Sequence, residues 1–458
     1  MERGLESEVL ERGRELLARA HRINRRSLRF PRRYWEEKVL DMIMRREALK
    51  VQLLRYIDTF PALKTYGQRL DHLVQYLEDD RVLKDKTIRL FFSLLKIRPV
   101  PLHVLHGMAT SIGVSLFAHK FIAGTSPREA LNFISGLIRK KMTCTLDILG
   151  EAVLSEMEAE QYTKRYVDLL DDIGRALAKS DMAFQLNVSV KPSSFYSQFK
   201  PSAPDKTAGK VCERLHLIMK KAKELNAFVN LDMEQYDYRE VTLKIFEMIA
   251  SNSEFKEYPY LGMVIQAYLK DVLPFTARVI EFARRRQSPF TVRLVKGAYW
   301  DYEIINARQR EWEIPVNLQK WQTDARFEQL TRILLDSYPF VTLAIGSHNV
   351  RSISHAMAYA EKKSVAKSDL EFQLLYGMGD DIKESIVEMG YPVRIYAPYG
   401  ELIPGMAYLV RRILENTSNE SFLRQRSAGR MAAEELLRNP LELARDEHER
   451  NQFVAVPQ

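Results

Sequence analysis

Basic side chains recur along this sequence at places where they could hold a small anion. Arg411 and Arg412 are adjacent, and Glu415 lies four residues after Arg411, where on a helix its carboxylate can orient the guanidinium. Arg293 and Lys296 are three residues apart, and Lys191 follows an apolar run. Carboxylates accompany these cations, namely Asp147 with Glu151, and Asp232. Gln266, Ser347 with His348, the Tyr376-Gly377 turn and Tyr396 complete the set. Adjacent guanidiniums plus an ammonium suit a small carboxylate or a cofactor pyrophosphate, and Tyr396 offers a flat apolar wall beside them. Each residue also has a plain alternative: a solvated arginine pair, a helix-capping aspartate, an ordinary loop histidine.

Other chemistries lack their residues. The chain has nine histidines, and the nearest approach to a metal pair, His103 and His106, falls in a helical stretch away from the rest, so no metal is expected. No GxSxG offers a nucleophile, and no GxGxxG offers the usual dinucleotide turn. The two cysteines, Cys144 and Cys212, form no CxxC, which fits a reducing compartment and a cytoplasmic protein.

The elements that must position these groups follow from apolar periodicity. Eight short, β-branched apolar runs begin at about residue 140: 143–149, 184–190, 227–233, 261–268, 290–297, 340–346, 371–377 and 393–398. Stretches of helical period follow each of them, at 155–180, 209–226, 238–251, 272–287, 324–339, 351–364, 381–392 and 404–418. Strands apolar throughout and covered by helices imply a parallel sheet, and eight such pairs match an α/β fold of the (β/α)8, TIM-like kind. An open doubly wound sheet is the alternative. In a barrel the polar residues at the strand ends converge on one mouth, which brings the candidate set together. The loop 191–206 is long for such a connection and reads as a lid.

Residues 1–125 read as an all-helical arm and domain, residues 126–425 as the barrel, and residues 426–458 as a final helix and a tail. The 458 residues carry 69 Lys and Arg against 60 Asp and Glu, which favours anionic partners without choosing among them. The first 50 residues hold 14 basic and nine acidic side chains, and their mixed signs read as a solvated helical face. No zinc-finger spacing, leucine heptad or RNA-binding aromatic motif is present, and no strand-forming run precedes the first helices, so no nucleic acid is expected as a partner. No stretch approaches the roughly 18 apolar residues of a membrane span, and the first residues lack the apolar core of a signal peptide.

The segment RLVKGAYWDYE (293–303) resembles the signature of the proline dehydrogenase family, especially the domain found in proline utilization A. In the family's order stand LDILGE (146–151), VSVK (188–191), LDME (231–234), IQAY (265–268), SHN (347–349), YGMG (376–379), RIYAPYGE (394–401) and YLVRRILEN (408–416). The resemblance implies a distorted barrel that binds FAD and oxidises L-proline to Δ1-pyrroline-5-carboxylate by hydride transfer from C5 to flavin N5. Electrons then pass to a membrane quinone, with transient peripheral association during turnover.

It also implies roles. Lys191, Arg411 and Arg412 surround the proline carboxylate, and Tyr396 and Leu375 face the ring. With Arg293, beside flavin N5, the residues Lys191, Tyr396, Arg411 and Arg412 form the catalytic set. Gln266, Arg293, Val295, Lys296, Gly297, Tyr299, Trp300, Ser347, His348, Asn349 and Leu375 contact FAD. Asp147, Glu151, Asp232 and Glu415 are supporting or gating carboxylates. The chain departs from the family pattern at Ser347, Tyr376 and Pro192. Bifunctional members continue into an aldehyde dehydrogenase domain, so the chain is expected to be either a fragment or a single-activity form, with its oligomeric state open.

Overall fold

The computed structural model describes residues 2–27, 46–84, 89, 92, 93, 122–148, 153–180, 182–286, 288–400 and 433–444. Its centre is a closed barrel of eight parallel strands in the order of the chain. The strands are β1 (Thr143–Ile148), β2 (Asn187–Val190), β3 (Phe228–Leu231), β4 (Leu261–Gln266), β5 (Phe290–Val295), β6 (Val341–Gly346), β7 (Leu370–Leu375) and β8 (Val393–Tyr399). Ring closure joins β8 to β1 through six aligned pairs, from Thr143 with Arg394 to Ile148 with Tyr399. All eight runs read as strands are strands, and the open-sheet alternative is excluded by that closure.

Successive side chains of a strand point to opposite faces, and here the two faces differ in kind. Leu146, Val188, Val229, Met263, Leu294, Ile345, Phe372 and Ile395 face the helices and belong to one continuous apolar core. The other face brings polar groups into the barrel beside apolar ones such as Val264 and Ala344. Thr145 donates to Asn187 Oδ1 at 2.7 Å, Thr291 and Thr342 share a hydrogen bond at 2.8 Å, and Arg394 reaches Glu371 and the Cys144 carbonyl. Barrels of this kind are usually packed with branched apolar side chains. Here most of the interior polar groups are paired with one another, as burial requires.

Helices α1 (Glu2–Ser27), α2 (Glu47–Thr59) and α3 (Tyr66–Leu77) precede the barrel, as the helical period predicts. Leu16 and Ala20 of α1 are fully buried in the barrel core, whereas Leu49, Tyr56, Phe60, Leu70 and Val74 of the α2 to α3 region form a second apolar cluster. After α4 (Pro127–Arg139), the covering helices are α5 (Glu156–Ala178), α6 (Pro204–Glu224), α7 (Arg239–Ser251), α8 (Val272–Arg286), α9 (Trp300–Gln309), α10 (Lys320–Leu335), α11 (Val350–Lys362) and α12 (Asp380–Glu388). The sequence reading missed α9. Its exposed Tyr302 and Ile305 hide the amphipathic period that identifies the other helices. Read as a helix, 404–418 lies outside the described residues.

Arg351, near the start of α11, is a buried junction. It pairs with Glu328 of α10 at 2.7 Å and with Glu6 of α1, and it donates to the Leu437 carbonyl at 3.0 Å. The segment around Leu437 is therefore seated on the barrel, with Leu437 1% exposed, and its described residues form a helical turn at 433–436 and a second, tighter one at Pro440–Leu443. Among the described residues no helix is long and apolar enough to cross a membrane.

Candidate active site at the barrel mouth

Four strands deliver their final polar residues to one point. Asp232, just past β3, accepts hydrogen bonds from Ser189 Oγ of β2 at 2.6 Å, Asn230 Nδ2 at 3.2 Å, Arg293 of β5 at 2.8 Å and the Tyr396 hydroxyl of β8 at 2.9 Å. Bonds between non-neighbouring strands place all these side chains inside the barrel. The Arg293 guanidinium also lies over the Tyr396 ring, 5.2 Å from its centre, so the cation rests on an aromatic face.

Lys191 sits one residue past β2 and meets both oxygens of Asp147 at 2.7 Å, with Asp232 at 4.0 Å. Burial favours the neutral amine, but the attraction of Asp147 outweighs it and holds the ammonium above the ordinary lysine range. The mouth therefore keeps two positive groups, Lys191 and Arg293, each braced by an aspartate. Such braced cations bind an incoming carboxylate without reorganising.

A second group of residues lies on the β4 to β6 side. Gln266 donates its amide to the Glu234 carbonyl at 3.2 Å, which leaves Gln266 Oε1 buried with no hydrogen-bond partner among the described residues. Arg293 Nε is in the same condition. A buried polar atom of this kind costs stability unless a ligand satisfies it. Lys296 pairs with Asp324 of α10, which Lys320 also holds at 2.6 Å. Burial raises the Asp324 carboxyl, yet the two lysines overcome that and keep it below the usual range. Gly297 has φ +134°, and a Cβ there would lie 2.5 Å from the Tyr268 ring, so only glycine fits.

The remaining candidates follow the ends of β5, β6 and β7. Val295 ends β5 and is half-buried, Tyr299 precedes α9, and Trp300 donates to the Asn317 carbonyl at 2.9 Å. His348 Nε2 accepts the Leu375 N–H at 3.0 Å, which ties the β6 loop to the end of β7. Asn349 caps α11 by accepting from Ser352, and its own N–H goes to Ser347 Oγ. Tyr376 packs edge-on against Phe133 of α4, 4.7 Å between ring centres. Glu151, Arg411, Arg412 and Glu415 lie outside the described residues.

The loop after β2 differs from the lid the sequence suggests. Phe195 is fully buried, Ser193 and Ser197 bond to Glu234 and Glu156, and Arg214 holds the Phe195 carbonyl at 2.6 Å. Its apolar side chains fasten it to the barrel. Sequence reasoning also missed Ser189, Asn230, Glu234 and Asp324. The first two were legible by strand alternation, since each lies two residues before a chosen residue, Lys191 or Asp232.

Neither cysteine is set up for thiol chemistry. Burial pushes both Cys144 and Cys212 up to about 12, so neither forms a thiolate near neutrality. No cluster of three or more metal-ligating side chains occurs among the described residues.

Residues 130–425 match the family model for proline dehydrogenase, and residues 6–121 match that for the proline utilization A N-terminal domain. The bifunctional protein PutA of Klebsiella aerogenes is 29% identical over 337 residues, which is 72% of this chain and 26% of that protein. Proline dehydrogenase 1 of Bacillus subtilis (strain 168) is 28% identical over 316 residues, 69% of this chain and 92% of that one. In structure, proline utilization A from Bdellovibrio bacteriovorus, solved after inactivation by N-propargylglycine, superposes with a TM-score of 0.84 at 40% identity. That match covers 95% of this chain and 44% of the other, so the chain spans under half the length of that relative. The braced cations, the glycine at 297 and the eight-stranded barrel all fall within the matched residues 130–425, and the chain belongs to the proline dehydrogenase family.

Proposed function

We propose that this chain is an FAD-dependent proline dehydrogenase that oxidises L-proline to Δ1-pyrroline-5-carboxylate, the first step of proline catabolism to glutamate. The observation that carries the reading is the pairing, in one barrel mouth, of two braced cations with two unsatisfied buried polar atoms, Gln266 Oε1 and Arg293 Nε. Lys191 suits a carboxylate substrate, whereas Arg293 and Gln266 Oε1 suit a heterocycle with donors and acceptors along its edge.

The residues present fit the cofactor. Gln266, Arg293 and Val295 would meet the ring system, Lys296, Gly297, Tyr299 and Trp300 the chain beyond it, and Ser347, His348, Asn349 and Leu375 would meet it from the ends of β6 and β7. Gly297 leaves a cradle that any Cβ would close against Tyr268. When bound, FAD supplies the two-electron acceptor that no side chain of the protein provides.

The side chains themselves bind and orient. Lys191, with Arg411 and Arg412, holds the substrate carboxylate, while Tyr396 and Leu375 give the pyrrolidine ring a nonpolar wall. Asp147 and Asp232 keep Lys191 and Arg293 in place, and Glu151 and Glu415 are assigned to bracing or gating the arginines. In the substrate the C5–H bond breaks with its electron pair as the nitrogen lone pair forms the C=N bond, and the nitrogen then loses its proton. Only the neutral amine offers that lone pair, so no strong side-chain base is required.

The bound electrons leave to a membrane quinone during transient peripheral association, and the protein otherwise works in the cytoplasm. We assign residues 126–425 as the catalytic unit, residues 1–125 as an N-terminal arm and domain, and residues 426–458 as a C-terminal segment and tail. The test of the site assignment is steady-state kinetics of R411M and R412M. Each is expected to raise the proline KM at least ~10-fold with flavin retained, since a charge-assisted hydrogen bond contributes about 1.5 to 3 kcal/mol. Unchanged KM in both variants would overturn the assignment.

A further inference from the structure

Two successive βα connections and the end of the next strand are tied together at the mouth by a residue outside the assigned site set. Glu234, two residues past Asp232, is 7% exposed. Its Oε1 accepts the Ser193 hydroxyl at 2.6 Å and its Oε2 the Ser193 N–H at 3.1 Å. Its backbone carbonyl accepts the Gln266 amide at 3.2 Å. We propose that Glu234 is a positioning residue that holds the substrate-carboxylate end and the cofactor end of the site in one register. The assignment of those two ends rests on the proline and FAD reading above, whereas the linkage itself does not.

The carboxylate acts on the substrate end through a short stiff path. Ser193 is separated from Lys191 only by Pro192, whose ring fixes its φ, and Ser194 N–H closes the turn onto the Lys191 carbonyl at 3.0 Å. Fixing Ser193 at two atoms therefore fixes the backbone from which the Lys191 ammonium projects.

The carbonyl acts on the other end through the two-sidedness of an amide. With its NH2 bound to Glu234, the Gln266 side chain must turn its oxygen the opposite way, and that oxygen is the buried acceptor without a donor. The connection carrying Glu234 is itself anchored, because Tyr236 N–H bonds to the buried Glu303 carboxylate at 2.7 Å. Both Glu234 oxygens are engaged by Ser193, so its side chain acts on the site through that serine. A buried carboxylate is costly to retain, and a role in registering two half-sites accounts for that cost.

The experiment compares full-length E234A and E234Q with the parent chain by two independent readouts. Amide hydrogen exchange in the absence of cofactor and proline is expected to rise at least tenfold at Ser193 in E234A, with the strand amides unchanged. In E234Q it should stay near the parent value, because a glutamine oxygen still accepts from Ser193. In FAD-loaded protein, E234A is expected to change the visible flavin spectrum and raise the proline KM roughly tenfold together, and E234Q to restore both. Parent-like exchange at Ser193 in E234A would overturn the linkage. So would equal losses of protection throughout the barrel in both variants, since that result describes a folding residue. A parent chain that takes up no flavin would overturn the reading of the site, and the exchange result would still decide the linkage.

Discussion

At the scale of single residues, the mouth is organised by aspartates that brace cations. Asp232 alone receives donors from Ser189, Asn230, Arg293 and Tyr396, so Arg293 is fixed before any ligand arrives. The pH dependence follows from Lys191. Its folded value lies above the ordinary one, so its contribution to stability is complete below the unfolded lysine value and is lost only as pH climbs through the folded one. Lys191 thus stays charged from pH 6 to pH 9, and the proposed reading assigns the titration in that window to the substrate amine. kcat/KM for proline is expected to rise across it, and a flat profile contradicts the account. The strand-end candidates among the described residues were legible because a parallel barrel must gather strand ends. Glu234 was not singled out, because its work depends on Ser193, 41 residues away in sequence, and on its own backbone carbonyl.

Among the elements, the eight strands were legible because each is a short apolar run bounded by polar connections. The polar barrel interior was harder to read, since alternate residues such as Thr145, Asn187 and Asn230 look like solvent-facing positions in isolation. Two substitutions test how elements are held. G297A forces a side chain into the Tyr268 ring at a positive φ and is expected to cost about 1 to 3 kcal/mol and to weaken flavin retention. A parent-like thermal midpoint with full flavin content would show that the turn has room. Arg351 joins α1, α10 and the Leu437 segment, so R351M strands the buried Glu328 and is expected to cost roughly 3 to 5 kcal/mol. E6Q, at the more exposed end of the same junction, should cost far less. Equal small shifts of the thermal midpoint in both would mean that α1 is held by its apolar face alone.

For the whole molecule, α1 packs with the barrel as one body, its Leu16 and Ala20 entering the core beneath α11 and α12. Helical period alone marked α1 as a helix but not as part of the barrel's wall, because its partners lie more than 300 residues away. The central claim is that this body binds FAD and takes two electrons from proline. The most direct test is the visible spectrum of the purified, FAD-loaded protein before and after anaerobic addition of L-proline. The account predicts flavin absorption bands that bleach on addition. A protein that cannot be loaded with FAD, or bound flavin that proline leaves oxidised, would contradict it.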